Sequence, residues 1–463
     1  MAIAALGGCA TLPQPTDTNL PEFVPPSWAI VEPAPVETSL AQYWTLLDDP
    51  LVTEYVERAI ANNRDLAAAS ARVAQARAGV RSARASYLPQ VNASGGVQRD
   101  LGDFSEDELQ FSLGADARWE IDLFGRIGYD VAASREQLRA AGFALADLQR
   151  LIVGQVAQTT ISARALATQL DIARTTLEIQ DENLQIARWR LQAGLVSSLD
   201  VEQARTQRAQ TAASIPALER DLAASANTIS VLIGEAPGPV LAALEGTAKI
   251  PAPPADLGYA MPAEVLRKRP DVRQAEANLL ADGARVGLAR AQLFPLVQLT
   301  GNVGTASVGI DGLFDIITGG LIGSIGQLIF DGGRTRARID GAQAQAEASL
   351  ANWEQSILLA LEDVETAAVG LRAARERVEF FLEALEAAEN AAIIARSQYQ
   401  SGLIDFQALL VAENQLLSAR NGLAASEAER ATAFVRLTQA LGGGWQPDDA
   451  SQDPSEPGER IEE

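Results

Sequence analysis

One row of residues limits what this chain can fold into more than any other feature. Every seventh residue from Leu350 reads Leu350, Ile357, Val364, Leu371, Val378, Leu385, Ala392, Tyr399, and none is charged. A flanking row three positions on reads Trp353, Ala360, Ala367, Ala374, Phe381, Ala388, Ala395. No proline falls between about Arg334 and Tyr399, and the interior glycines there are Gly341 and Gly370. Apolar rows with a period of seven predict a long helix under-wound into a left-handed coiled coil. At 1.5 Å rise per residue, about 65 residues span roughly 100 Å.

The same row occurs earlier. Val156, Ala163, Leu170, Leu177, Leu184 and Leu191 are also spaced by seven, and adding 208 to each number gives Val364 through Tyr399. Ala83-Arg-Ala85 and Pro89 reappear as Ala289-Arg-Ala291 and Pro295, 206 residues on. A self-match at a fixed offset means one structural unit built twice. The expected layout is copy one over 46–234 and copy two over 263–445, joined by a Pro-rich linker over 235–262. The long helix of copy two, about 334–399, is followed by a last helix from about Phe406 to Leu441. In copy one, a helical pair over about 49–86 precedes the strands. A long helix then runs to about Gly194, and a second helix spans 198–233 with a break or kink near Pro216.

Composition removes several function classes. The chain has 463 residues, no His, one Cys and a net charge of −23. Without His, imidazole acid–base catalysis and His-containing metal sites are excluded, and one Cys forms no internal disulfide. The negative charge argues against a nucleic-acid partner. No spacing of carboxylates proposes a catalytic or metal site, so no enzyme is expected.

The single Cys is informative by position. Leu6-Gly-Gly-Cys9 resembles a bacterial lipobox, which makes residues 1–8 the remainder of a signal peptide and Cys9 the site of a covalent lipid. Residues 9–45 are Pro-rich and read as a lipid-anchored extended arm. Residues 446–463 are acidic and poor in apolar residues, and read as a disordered tail.

Strands are expected at about 90–99, 109–123, 296–306 and 320–330. The second alternates cleanly, with Phe111, Leu113, Ala115, Ala117, Trp119, Ile121 and Leu123 on one face. Gln110, Ser112, Gly114, Asp116, Arg118, Glu120 and Asp122 fall on the other. Alternation over this length suits a strand crossing a bilayer at a tilt. The weakly charged stretch 312–330 is long enough for a membrane helix, but its glycines favour a loop followed by a Gly-rich strand. Membrane barrels start at about eight strands and lipid tolerates no open sheet edge. Four strands per chain therefore need two, three or four chains, which pool 8, 12 or 16 strands.

Arg269-Pro-Asp-Val-Arg-Gln-Ala-Glu-Ala277, continuing to Val286-Gly-Leu-Ala-Arg-Ala-Gln-Leu-Phe-Pro295, resembles the outer-membrane factor family. These are the TolC-like and OprM-like channel-tunnels, on the lipoprotein branch that includes NodT-type proteins. Asp122-Leu-Phe-Gly-Arg126 and Tyr399-Gln-Ser-Gly-Leu403 support the resemblance, which covers Cys9 to about Trp445. It implies a mainly α fold with a small β part. Long coiled-coil helices form a trimeric α-barrel in the periplasm, and the strands join a 12-stranded barrel in the outer membrane. It also implies a homotrimer working with a periplasmic adaptor and an inner-membrane transporter, with no cofactor besides the lipid on Cys9. Arg269-Pro-Asp271 itself reads as a helix start, with Pro at the first position and Asp favouring the dipole.

By the family's geometry, the turns at Gly194 and Gly402 form the periplasmic tip, where the duct narrows. Relatives often carry acids early on the last helix, where this chain has Ala408 and Val411. The expected aperture residues are Asp200, Tyr399, Asp405, Gln407 and Val411. Asp200 and Asp405 read equally well as helix N-caps. Three functions follow from the resemblance and the pattern: an efflux exit duct, an outer-membrane duct for type I protein secretion, and a coiled-coil stalk with no lumen. The alternating strands weigh against the stalk.

Overall fold

The computed structural model describes residues 20–29, 40–99, 109–245, 249–254 and 261–446. Cys9, most of the Pro-rich arm and the acidic tail lie outside the described residues. Among the described residues, nine α-helices and four strands follow one another in an order that repeats. Helices α1 (Pro50–Asn62) and α2 (Arg64–Ala85) lead into strands β1 (Gln90–Arg99) and β2 (Leu109–Ile121). Helices α3 (Arg126–Gln192) and α4 (Ser198–Leu232) complete the first set. After the short α5 (Pro239–Leu244), helices α6 (Pro262–Lys268) and α7 (Pro270–Ala291) lead into β3 (Leu296–Val308) and β4 (Ile317–Gly326). Helices α8 (Arg334–Gln400) and α9 (Phe406–Ala440) end the second set. The duplication is metric as well as sequential. Helices α3 and α8 each have 67 residues, and α4 and α9 each have 35.

Two compact units emerge, and each draws on both copies. The first takes Ala71–Phe143 and Asp271–Ser356, and so holds all four strands. Its sheet runs β1-β2-β3-β4 in sequence order, antiparallel throughout. The register aligns faces across strands. Val91 pairs with Ala117, Val97 with Phe111, Leu113 with Thr305, Trp119 with Leu299 and Leu299 with Gly323. One face is therefore mainly apolar across all four strands, with Thr305, Ser307 and Arg99 the polar residues toward the end away from the helices. The other carries Asn92, Ser94, Gln110, Asp116, Arg118, Glu120, Gln298, Thr300 and Asn302. Leu321 and Ile325 on the apolar face are 72% and 75% exposed in the single chain. Gly114 pairs with Gly304, and a Cβ added at either would lie 3.3–3.4 Å from the partner strand's backbone oxygen, a close crossing.

The second and fourth strands end earlier than the alternation predicts. β4 is Ile317–Gly326 rather than 320–330, and β2 stops at Ile121 rather than 123. Pro295, which lacks an N–H, precedes β3, so the ladder closes at Leu296↔Gly326 and Val297↔Ile121. β3 extends past its expected end to Val308, because β2 offers Gln110 as a partner there.

The second unit takes Pro21–Ser70, Ala144–Pro270 and Ile357–Glu463. Its core joins Tyr43, Leu47, Tyr55 and Val56 to Val153, Val156 and Ile161 of α3 and to Phe434, Val435 and Leu437 of α9. The heptad row of α8 is buried at Ile357, Val364, Leu371, Val378, Ala392 and Tyr399, while Leu350 stays exposed. The row of α3 is buried at Val156, Ala163, Leu170 and Leu184, but Leu191 is exposed. Tyr399 keeps its burial because Phe406 folds back on it. Helix α4 passes through Pro216 unbroken, with its far half held by Leu222, Ala226 and Ile229.

Helix starts follow local chemistry. Asp49 caps α1, its Oδ1 accepting from Leu51 N at 2.8 Å and Val52 N at 3.2 Å, with Pro50 at the first position. The same carboxylate accepts from Arg164 Nε at 3.0 Å, both side chains being 6% exposed. The two breaks between short helices share one device. Asn63, between α1 and α2, donates from Nδ2 to Leu232 O at the end of α4, at 2.8 Å. Arg269, between α6 and α7, donates from Nη1 to Ala440 O at the end of α9, at 3.1 Å. Its Nη2 donates to Asp363 Oδ2 at 2.9 Å, and the side chain is 2% exposed. Positions 63 and 269 are 206 apart and positions 232 and 440 are 208 apart. The two copies thus tie the same helix end from the same break with different side chains.

Candidate functional site at the helix–helix turns

The α3–α4 and α8–α9 turns are built alike, in the second unit. Gly194 has φ +70° and Gly402 φ +75°, a region that L side chains avoid. Gly194 N donates to Leu191 O at 2.9 Å and Leu195 N to Arg190 O at 2.9 Å. Gly402 N donates to Tyr399 O at 3.0 Å and Leu403 N to Gln398 O at 2.9 Å. This paired closure satisfies helix-end carbonyls and reverses the chain in few residues. Leu195, Leu199 and Leu403 are left exposed at the turns.

The acids flanking the turns serve as caps. Asp405 Oδ1 accepts from Ala408 N at 2.8 Å and starts α9. Asp200, in the first turn of α4, accepts from Ser197 N through Oδ2 at 3.1 Å. Tyr399 is 2% exposed. The Arg190 guanidinium lies 4.5 Å from its ring centroid and donates to its backbone oxygen at 2.6 Å, while the Phe406 ring sits 5.5 Å away. Burial pushes the Tyr399 phenol up, and Arg190 opposes that shift. Tyr399 is thus packed inside the hairpin end. Gln407 and Val411 are exposed, Val411 at 50%, and lie four residues apart on one face of α9. Asn414 continues that face, and its Oδ1 accepts from Gln207 Nε2 of α4 at 2.7 Å. The opposite face buries Phe406, Leu409, Ala412 and Leu416. Of the expected aperture residues, the single chain therefore presents Gln407 and Val411 together on an open face. It commits Asp200 and Asp405 to backbone bonds.

Sequence reasoning missed Glu413. It is nearly buried, accepts from Asn183 Nδ2 of α3 at 2.8 Å on both oxygens, and meets Arg396 Nε of α8 at 3.1 Å. One carboxylate thereby ties three helices close to the turns. The signal available was a lone acid on the apolar stripe of α9, between Ala412 and Leu416. Among the described residues, no cluster of three or more acids or cysteines could hold a metal ion, and no helix is long and apolar enough to cross a membrane.

Comparison with known proteins agrees with this architecture. The family model described as outer membrane efflux protein matches residues 55–235 and 261–443, one match per copy. Nodulation protein T of Rhizobium leguminosarum bv. trifolii is 31% identical over 369 residues, covering 75% of this chain and 77% of the relative. The cation efflux system protein CusC of Escherichia coli is 30% identical over 450 residues, covering 96% and 97%. The solved outer-membrane channel OprN superposes with a TM-score of 0.84 at 33% identity, covering 93% of this chain and 99% of that one. Both copies match along nearly the full length of these channels, and the chain is an outer-membrane protein of the outer membrane efflux protein family.

Proposed function

We propose that this chain is the exit duct of a tripartite efflux pump. Three copies close a 12-stranded barrel in the outer membrane and continue it as an α-helical tube in the periplasm. The duct passes small molecules outward passively, in complex with a periplasmic adaptor and an inner-membrane transporter. The sheet carries this reading. One face is mainly apolar and the other mainly polar, while among the described residues β1 and β4 have no outer neighbour. Open edges are not stable in lipid, so other copies must supply the missing partners. The polar face then lines water and the apolar face meets lipid. Cys9, in Leu6-Gly-Gly-Cys9, carries the anchoring lipid, which mass spectrometry of membrane-extracted protein reads as an acylated first residue.

The turns at Gly194 and Gly402 form the periplasmic tip of the tube, and Gln407 with Val411 lines its narrowest point. Threefold symmetry repeats each pore-facing side chain three times, so Val411 makes an apolar ring that resists ions by dewetting. Asp200 and Asp405 lie beside that ring as capping carboxylates. The test is conductance and cation preference of Val411→Asp and Val411→Ala channels in planar bilayers. Val411→Asp is expected to raise cation preference and Val411→Ala to raise conductance. Parent behaviour in both places the constriction elsewhere.

A further inference from the structure

We propose that the junction between sheet and helices is a binding belt for anionic phospholipid of the periplasmic leaflet. This rests on the barrel reading above. All four helix-proximal strand ends, at Gln90, Ile121, Leu296 and Gly326, lie at one end of the sheet. The aromatic residues gathered there are exposed: Tyr87, Trp119, Phe124, Phe294 and Phe330. Two contacts fix their positions. Phe124 stacks on Phe294 at 5.1 Å, and Trp119 Nε1 donates to Tyr87 O at 2.9 Å. Trp119 stands on the apolar face, opposite Leu299, so the belt continues the lipid-facing surface. Amphipathic rings at such a boundary sit at headgroup depth.

Just beyond the rings arginines cluster. The chain carries 60 acids against 37 bases. Yet the helix ends at this junction present Arg84, Arg290, Arg334, Arg336 and Arg338. Several acids at this junction are already engaged, while Asp130 and Asp340 carry no ion pair among the described residues. Glu120 is paired with Arg126, Asp122 accepts from Gly128 N at 2.9 Å, and Asp331 accepts from Thr335 N and Gly333 N. Among the described residues, Arg84, Arg290, Arg336 and Arg338 have no carboxylate within ion-pair distance. A guanidinium fork matches a phosphate diester in two hydrogen bonds. Rings at headgroup depth with guanidinium groups one step further from the hydrocarbon are the arrangement a phosphatidylglycerol-type lipid fits.

The test uses the full chain in nanodiscs of phosphatidylcholine with or without phosphatidylglycerol. Native mass spectrometry counts retained lipid, and brominated phosphatidylglycerol quenches nearby tryptophan. The parent should retain phosphatidylglycerol preferentially. The combined variant Arg84→Gln, Arg290→Gln, Arg336→Gln, Arg338→Gln should lose that preference about tenfold or more. Trp119→Phe should remove part of the quenching. Equal retention of both lipids by the parent, or an unchanged preference in the combined variant, overturns the belt. So does full quenching in Trp119→Phe, or displacement of the lipid by inorganic phosphate. Channel conductance of the parent separates the two readings: a conducting parent without lipid preference refutes the belt alone, and a non-conducting parent refutes the barrel.

Discussion

Arg269 is the residue whose role changes most between sequence and structure. As part of Arg-Pro-Asp it reads as a helix start, and Pro270 and Asp271 do start α7. The arginine itself is almost fully buried and reaches the last carbonyl of α9, 171 residues away. Arg269→Ala removes a charge-assisted bond to Ala440 O and leaves a cavity, for an expected loss of about 2–4 kcal/mol. Arg269→Lys keeps the charge but not the fork, and should recover only part of that loss. Thermal unfolding in detergent reads both. Asp282 of α7 gives a pH-dependent counterpart. Burial alone would raise its value, but bonds from Ser349 Oγ at 2.6 Å, Gln345 Nε2 at 3.2 Å and Arg285 hold it below the ordinary 3.8. A depressed carboxylate stabilises the fold fully above its unfolded value, and that contribution is lost as pH falls through the folded value. Asp282→Asn should therefore be less stable than the parent near neutral pH, with the gap narrowing at acid pH as the carboxylate protonates in the folded state. Equal gaps at both would show that Asp282 contributes packing alone.

At the scale of elements, caps and close approaches set where helices begin and how near they lie. Asp405→Ala removes the side-chain cap of α9 and should cost about 1 kcal/mol, read as faster amide exchange in its first turn. Helix pairs also depend on interior glycines. A Cβ on Gly422 would lie 2.2 Å from the Phe381 ring, and one on Gly287 2.5 Å from the Tyr129 ring. Gly422→Val should lower thermal stability by about 1–3 kcal/mol through overpacking between α8 and α9. Gly283, with nothing within 4 Å of an added Cβ, should accept Ala with little change or a small gain.

For the whole molecule, the sheet decides the assembly. Its mainly apolar face spans four strands, and among the described residues its two edges are unpaired. A soluble monomer would leave that face in water, and a monomer in lipid would leave both edges unsatisfied. Mass measurement in detergent should give three copies, and planar-bilayer recordings should show discrete channel openings. A stable monomer, or a species soluble without detergent, contradicts the proposed barrel.

What the sequence determined by itself was periodic. Heptad rows fixed the long helices and most of the positions they bury, because a period of seven brings one stripe to one side wherever the helix packs. Alternation from Phe111 to Ile121 fixed the faces of β2, since side chains on a strand point to opposite sides in turn. The offset of about 207 residues revealed the duplication. Tertiary structure alone decided the partners. β2 of the first copy pairs with β3 of the second, and β2 and β4 stop level with Pro295. Glu413 gathers three helices, and Asn63 and Arg269 close equivalent joints with unlike side chains. Periodicity is local and survives in any short window of the chain. A hydrogen bond across 170 residues leaves no local trace, because its two ends are brought together only when the whole core forms.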